Sequence, residues 1–127
     1  MTALVVFAHG STMDAANQAI RDVAASLETR SGFITEAAFL EIAAPDLPQA
    51  VEKLVERGAT RIVVVPYFLT PGKHAERDLP RIIGQIREWL RGIHKEEVRI
   101  EAAANLDGHP ALVGILLDRA AAVLEEF

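Results

Sequence analysis

Residues 61–67 read Arg-Ile-Val-Val-Val-Pro-Tyr, and residues 3–8 read Ala-Leu-Val-Val-Phe-Ala. Both runs are apolar without alternation and rich in β-branched residues, the composition that fits a pleated, buried surface. A strand apolar at every position is buried on both faces, which places it inside a parallel sheet. Two further segments have weaker strand character: Ile34–Leu40, and Val98–Ala102, where Val-Arg-Ile-Glu-Ala alternates as a half-exposed strand does. These suit the edges. Helical patterns separate successive strands, so the crossovers are right-handed and the sheet is parallel. The order that follows is 2-1-3-4, and the expected fold is α/β: a single doubly wound, flavodoxin-like domain over residues 1–127 with helices flanking a four-stranded sheet.

The intervening segments support this. Asp14 is placed to cap a first helix whose apolar positions Ile20, Val23, Ala24 and Leu27 share one face, and Gly32 ends it. Asp46 and Pro48 open a second helix carrying Leu47, Ala50, Val51, Leu54 and Val55, with Gly58 at its end. A third carries Leu79, Ile82, Ile83, Ile86 and Leu90, with Asp78 as the candidate cap, and stops near Gly92. Trp89, in its middle, is read as packing. The last runs from about Pro110 to Glu125, and its Leu112, Val113, Leu116, Leu117, Ala120, Val123 and Leu124 are expected to face inward.

Composition excludes several classes. Half of the 127 residues are hydrophobic and 24% are charged, which is a folded rather than a disordered balance. Thirteen Lys+Arg against eighteen Asp+Glu give a net charge of −5, which disfavours a nucleic-acid partner. No apolar run approaches the ~18 residues of a membrane span. The first residues lack the basic region of a signal peptide. Cysteine is absent, so disulfides and thiolate metal sites are excluded, and a cytoplasmic location is expected. The nitrogen ligands for a transition metal are four histidines.

In an open sheet of order 2-1-3-4 the chain changes direction between strands one and three, and ligands bind outside their C-terminal ends. Ala8-His9-Gly10-Ser11-Thr12 follows the first of these strands, and Phe68-Leu69-Thr70-Pro71-Gly72-Lys73-His74 follows the other. Two of four histidines therefore flank the expected crevice. Neutral imidazole binds divalent transition metals and also exchanges protons near neutral pH. Glu41, after strand two, can supply a carboxylate as ligand or proton acceptor. Ser11 and Thr12 can cap the helix that follows. Each has a plainer reading: a loop histidine is often a turn residue, Glu41 a solvated carboxylate, and Lys73 and Arg77 surface charge. His94 reads as a surface residue and His109, before Pro110, as a cap or turn residue.

Other proteins of this topology make demands that these loops do not meet. A phospho-receiver needs acidic residues after strand one and an aspartate after strand three, where His9 and Pro66 stand. A flavodoxin needs a hydroxyl-rich phosphate loop, of which Ser11 and Thr12 are a fragment. Histidine phosphotransfer begins with Arg-His-Gly, and here Ala8 replaces the arginine. No P-loop or G-x-G-x-x-G is present.

The combination of Ala8-His9-Gly10-Ser11, of Phe39-Leu40-Glu41 followed by Pro45, and of Val63 to Leu69 followed by Gly72-Lys73-His74 and Asp78-Leu79-Pro80 resembles the class II chelatases of the CbiX/SirB group. The tail Leu106-Asp107-Gly108-His109-Pro110 with Arg119 is similar to that family's last strand-to-helix segment. The resemblance covers essentially the whole chain. It implies a chelatase-like fold in short form, working as a homodimer. It also implies insertion of Co²⁺ or Fe²⁺ into sirohydrochlorin without nucleotide hydrolysis, with the metal a substrate and no cofactor retained. By motif, His9 and His74 become the metal-binding and proton-accepting histidines and Glu41 an acidic helper. Ser11, Phe68, Leu69 and Lys73 become contacts to the macrocycle or its carboxylates. Thr12 stands where the family commonly has a basic residue, and Asp107 interrupts a usual Leu-Gly. A carrier without turnover, an inactive chelatase-like subunit and a nickel-inserting enzyme are the alternatives, although Gln85–Glu101 lacks a histidine-rich stretch.

Overall fold

The computed structural model describes residues 1–69, 72 and 77–124. Its elements are β1 (Thr2–Ala8), α1 (Asp14–Ser31), β2 (Ile34–Phe39), α2 (Leu47–Glu56), β3 (Arg61–Pro66), α3 (Leu79–Gly92), β4 (Arg99–Ala102) and α4 (Ala111–Leu124). The sheet has the order β2-β1-β3-β4 expected from strand character, and every strand pair is parallel. Val5 pairs with Val64 and with Glu36, so the two most apolar strands form the centre of the sheet.

One face of the sheet carries the main core. Ala3, Val5 and Phe7 of β1, Ile62 and Val64 of β3, and Ile100 of β4 lie on it under α2 and α3. All five apolar residues of the α2 stripe are buried, and Ile83, Ile86 and Leu90 supply α3's share. Trp89 packs against this core, as its place in the helix suggested. The opposite face holds a smaller cluster of Val6, Ala8, Ala37 and Phe39 beneath α1, closed by Ala24 with Ile20, Val23 and Leu27 at its rim.

The helix ends follow the local chemistry, with two corrections, at Asp14 and Asp78. The αL residue Gly32 ends α1 and donates its N–H to the Glu28 carbonyl. Asp46 opens α2 with a reciprocal capping box, its carboxylate accepting from Gln49 N while the Gln49 side chain accepts from Asp46 N. Asp78 stands at the cap position of α3 with helical backbone, and its side chain makes no capping hydrogen bond; its carboxylate lies 3.5 Å from Arg81. Asp14 does not cap α1 either. It is the first helical residue, and Met13 takes the cap position, because the preceding loop is held by Ser11 and Asn17 instead.

Two expectations fail on the face that carries α1. The apolar residues of α4 do not point inward: no residue of this helix is buried, and Val113, Leu116 and Val123 are 71%, 69% and 82% exposed. Nor is β3 buried on both sides. Ile62, Val64 and Pro66 are buried, but Val63 and Val65, on the α1 face, are only half-buried. The two failures have one cause: α4 is not seated over β3 and β4, where a helix returning from the last strand of a doubly wound sheet would lie.

Candidate functional site

The candidate site begins where β1 ends. Leu40 N donates to the Ala8 carbonyl at 2.9 Å and Glu41 N to the His9 carbonyl at 3.1 Å, so the β1–β2 ladder runs beyond both strands and carries His9 and Glu41 side by side. His9 Nδ1 lies 3.8 Å from Glu41 Oε1, with the side chains 47% and 55% exposed. Such an exposed pair contributes about 0–1 kcal/mol to stability. Its arrangement thus has little structural value and leaves both groups within reach of a ligand.

The backbone beneath the pair is tightly specified. Gly10 has φ +96°, and an added Cβ would collide with the Glu41 carbonyl oxygen. That same oxygen accepts from Ala43 N at 2.8 Å. The resulting three-residue turn centres on Ile42, whose φ of +72° is rare for a β-branched residue. Phe39 N donates to Pro45 O at 2.9 Å, closing the loop onto the sheet. Arg21 stacks on the Phe39 ring at 5.4 Å and reaches the Ala44 carbonyl at 3.3 Å.

On the other side, Asn17 holds the loop through its amide. Ser11 N donates to Asn17 Oδ1 at 2.9 Å, and Asn17 Nδ2 donates to Ser11 O at 2.8 Å. Asn17 is 5% exposed and is the buried polar residue among those described. The Ser11 hydroxyl accepts from Met13 N at 3.0 Å. Ser11 is therefore a turn residue in this structure, and its half-buried position beside His9 keeps it at the site.

The β3 side of the crevice is built by Tyr67 and Phe68. Tyr67 N donates to the Phe7 carbonyl at 2.7 Å, extending the ladder, and Tyr67 is 42% exposed. Phe68 sets its ring edge-on against Phe7, with centroids 6.0 Å apart. Phe68 N donates to Asn105 Oδ1 at 2.9 Å, and Leu106 N to the Phe68 carbonyl at 3.2 Å, so the loop after β4 is pinned to the loop after β3. Leu69 is 65% exposed. Lys73 and His74 lie outside the described residues.

The structure thus brings His9, Glu41 and Ser11 together at one edge and places Phe68 and Leu69 on the neighbouring loop. His109 is a turn residue as read, its Nδ1 accepting from Ala111 N at 3.0 Å. His94 is exposed with φ +59° just after α3. Sequence reasoning did not single out Asn17, Asn105 or Ile42. For Asn17 a signal existed: a polar residue three positions before Ile20, on the helix's buried stripe. Asn105 and Ile42 act through backbone geometry that only the folded loops create.

The CbiX family model matches residues 3–123. A sirohydrochlorin cobaltochelatase of Methanocaldococcus jannaschii is 42% identical over 89 residues, 69% of this chain and 62% of that protein. A sirohydrochlorin ferrochelatase of Priestia megaterium is 36% identical over 89 residues, 69% of this chain but 34% of that protein. The matched stretch therefore spans less than two thirds of the length of these relatives. The sirohydrochlorin chelatase SirB of Bacillus subtilis, solved in complex with cobalt, superposes with a TM-score of 0.85 at 24% identity over 96% of this chain and 50% of that one. That likeness extends the fold described above to a solved protein, and the family match covers all four strands and nearly all of α4. The chain belongs to the CbiX family.

Proposed function

We propose that this chain is a metal chelatase that inserts Co²⁺ or Fe²⁺ into sirohydrochlorin, with residues 1–127 acting as one chelatase domain. The observation that carries the reading is the His9–Glu41 pair, 3.8 Å apart at the open C-terminal edge of the central strand in a CbiX-family chain. Insertion exchanges two pyrrole protons for one divalent ion. A neutral imidazole binds cobalt or iron, yet weakly enough to release it to a macrocycle. A carboxylate beside it can take up a proton or hold the departing ion's charge. Partial exposure suits both tasks, because a transfer site must keep ligand positions open.

His9 is the ligand or base on the β1 side. His74, assigned by motif, supplies the second imidazole from the loop after β3, and Glu41 assists. Leu69 and Phe68 offer apolar surface to the ring, while Ser11 and Lys73 receive its carboxylates. The metal is a substrate, and no cofactor is retained. The chain works in the cytoplasm as a homodimer, without nucleic acid or membrane. Among the described residues, no helix is long and apolar enough to cross a bilayer. A net charge of −5 repels a polycarboxylate at long range, so substrate capture relies on local basic groups and on a second copy.

The test is an anaerobic titration of sirohydrochlorin with Co²⁺, Fe²⁺ or Ni²⁺, followed by the shift of its absorption bands. Multiple turnovers at substoichiometric protein support the enzyme. A shift that saturates at one equivalent identifies a carrier and overturns the reading. Faster insertion of Ni²⁺ than of Co²⁺ and Fe²⁺ overturns the metal assignment.

A further inference from the structure

Strand pairing between β3 and β4 stops short of the candidate site, and a side chain continues it. Regular pairing ends with Val64 opposite Ala102. Ala103 N donates to the Val64 carbonyl at 2.8 Å, so the backbone of Val64 faces β4, while Tyr67 N donates to the Phe7 carbonyl at 2.7 Å and faces β1. Backbone groups alternate in direction along a parallel strand, so those of Pro66 and Phe68 also face the β4 side. Pro66 has no N–H to give there. Phe68 N thus points beyond the end of the ladder, where it meets the Asn105 side-chain oxygen at 2.9 Å. The next residue, Leu106, donates its N–H to the Phe68 carbonyl at 3.2 Å. Two consecutive residues of the loop after β4 therefore hold both backbone groups of Phe68.

This grip exceeds what the core requires. The Phe68 ring already packs edge-on against Phe7, and at a half-buried position water would satisfy its N–H. What the Asn105 oxygen adds is direction. It fixes where the chain leaves the sheet, and hence how Phe68 and the exposed Leu69 are presented beside the crevice. The clamp itself rests on a closed turn. The Leu106 carbonyl accepts from His109 N at 3.1 Å, and the His109 carbonyl from Leu112 N at 3.1 Å. Asn105 and Leu106 are half-buried between exposed Ala104 and Asp107. Support of this kind, behind the residues that meet a ligand, keeps a binding surface within the tolerance that binding needs.

We propose that Asn105 is a positioning residue for macrocycle binding. Through the Phe68 backbone it holds Phe68 and Leu69 in the orientation that receives the apolar face of a tetrapyrrole. Its effect falls on ring affinity, and not on the groups at His9 and Glu41 that exchange metal and protons. The inference rests on the chelatase reading above.

Asn105→Leu keeps the bulk of the side chain and removes the acceptor. Asn105→Ser ends one bond short of that oxygen and adds no bulk, so it serves if the leucine disturbs folding. Each variant whose circular dichroism matches the parent is titrated with metal-free sirohydrochlorin, followed by its absorption bands. The dissociation constant is expected to rise about tenfold, the scale of a misplaced binding surface. Turnover at saturating ring and Co²⁺ is expected to stay within about threefold of the parent, as for a loss of binding alone. In a background carrying Phe68→Ala and Leu69→Ala, the same substitutions are expected to cost less than about twofold more, because the side chains that Asn105 positions are gone. A merely structural Asn105 lowers the unfolding midpoint and leaves the dissociation constant unchanged, which overturns the proposal. A loss as large in the double-alanine background as in the parent also overturns it. A parent chain that neither binds nor metallates sirohydrochlorin overturns the chelatase reading and this inference together, whereas an active parent with unchanged variants overturns this inference alone.

Discussion

The Glu41 carbonyl oxygen occupies the space that a side chain at residue 10 would need, and this contact couples the loop bearing His9 to the loop bearing Glu41. Gly10 has φ +96°, so substitution meets both a disfavoured conformation and backbone that cannot move aside cheaply. Gly10→Ala is expected to lower stability by about 3 kcal/mol, within the range of strained backbone and forced packing. Urea unfolding measures it, and a midpoint equal to that of the parent chain refutes the contact.

Asn17 offers a second handle on the same loop. Its amide satisfies both the N–H and the carbonyl of Ser11 from a buried position. Asn17→Ala leaves those groups unpaired or wetted, at about 1–3 kcal/mol. Asn17→Asp retains the acceptor toward Ser11 N and loses the donor to Ser11 O, so it is expected to fall between the parent and Asn17→Ala. Thermal unfolding of the three proteins should give that order; equal midpoints for all three would mean that the clamp holds nothing.

Ile42 is unusual in the opposite sense. A β-branched residue at φ +72° carries conformational strain, and its side chain is 64% exposed, so it gains little from burial. Ile42→Gly relieves the strain at some cost in unfolded-state entropy, and a net gain of up to about 1 kcal/mol is expected. Denaturant unfolding that shows a loss instead would assign Ile42 a packing contribution. If the gain in stability is accompanied by a lower insertion rate, the strained turn serves to position Glu41.

The His9–Glu41 pair separates stability from activity. Both side chains are about half exposed, and removing either is expected to change unfolding free energy by less than about 0.5 kcal/mol. His9→Ala is expected to reduce metal insertion at least a hundredfold. Glu41→Gln keeps the shape but not the charge, and a smaller loss of about tenfold is expected. Full activity in His9→Ala would sink the site assignment, whatever the behaviour of Glu41→Gln.

The cap of α2 is a control remote from the pair. Asp46→Ala removes one arm of the capping box with Gln49 and is expected to destabilise by about 1 kcal/mol. Insertion kinetics should be unchanged at temperatures where the chain stays folded. A large change in rate would show that the loop from Leu40 to Asp46 transmits to Glu41.

Reading the chain alone determined the sheet. The unbroken apolar runs of β1 and β3 could be satisfied only in the middle, and the mixed β2 and β4 only at the edges, so the strand order followed from burial. The same reading placed His9 and Glu41 at one end of that sheet, because a residue just past a parallel strand stands at its C-terminal edge. What no pattern in the chain could give was how that edge is held. The Asn17 amide, the Asn105 side chain and the Ile42 turn act on backbone atoms brought together by pairing between distant segments, and local propensity carries no record of such contacts. Nor could periodicity say where α4 packs. An apolar helix announces that it will be buried, but not against which surface. The tertiary structure leaves α4 with no buried residue and Val63 and Val65 only half-buried, an arrangement set by how distant segments come together and not by the period of the helix.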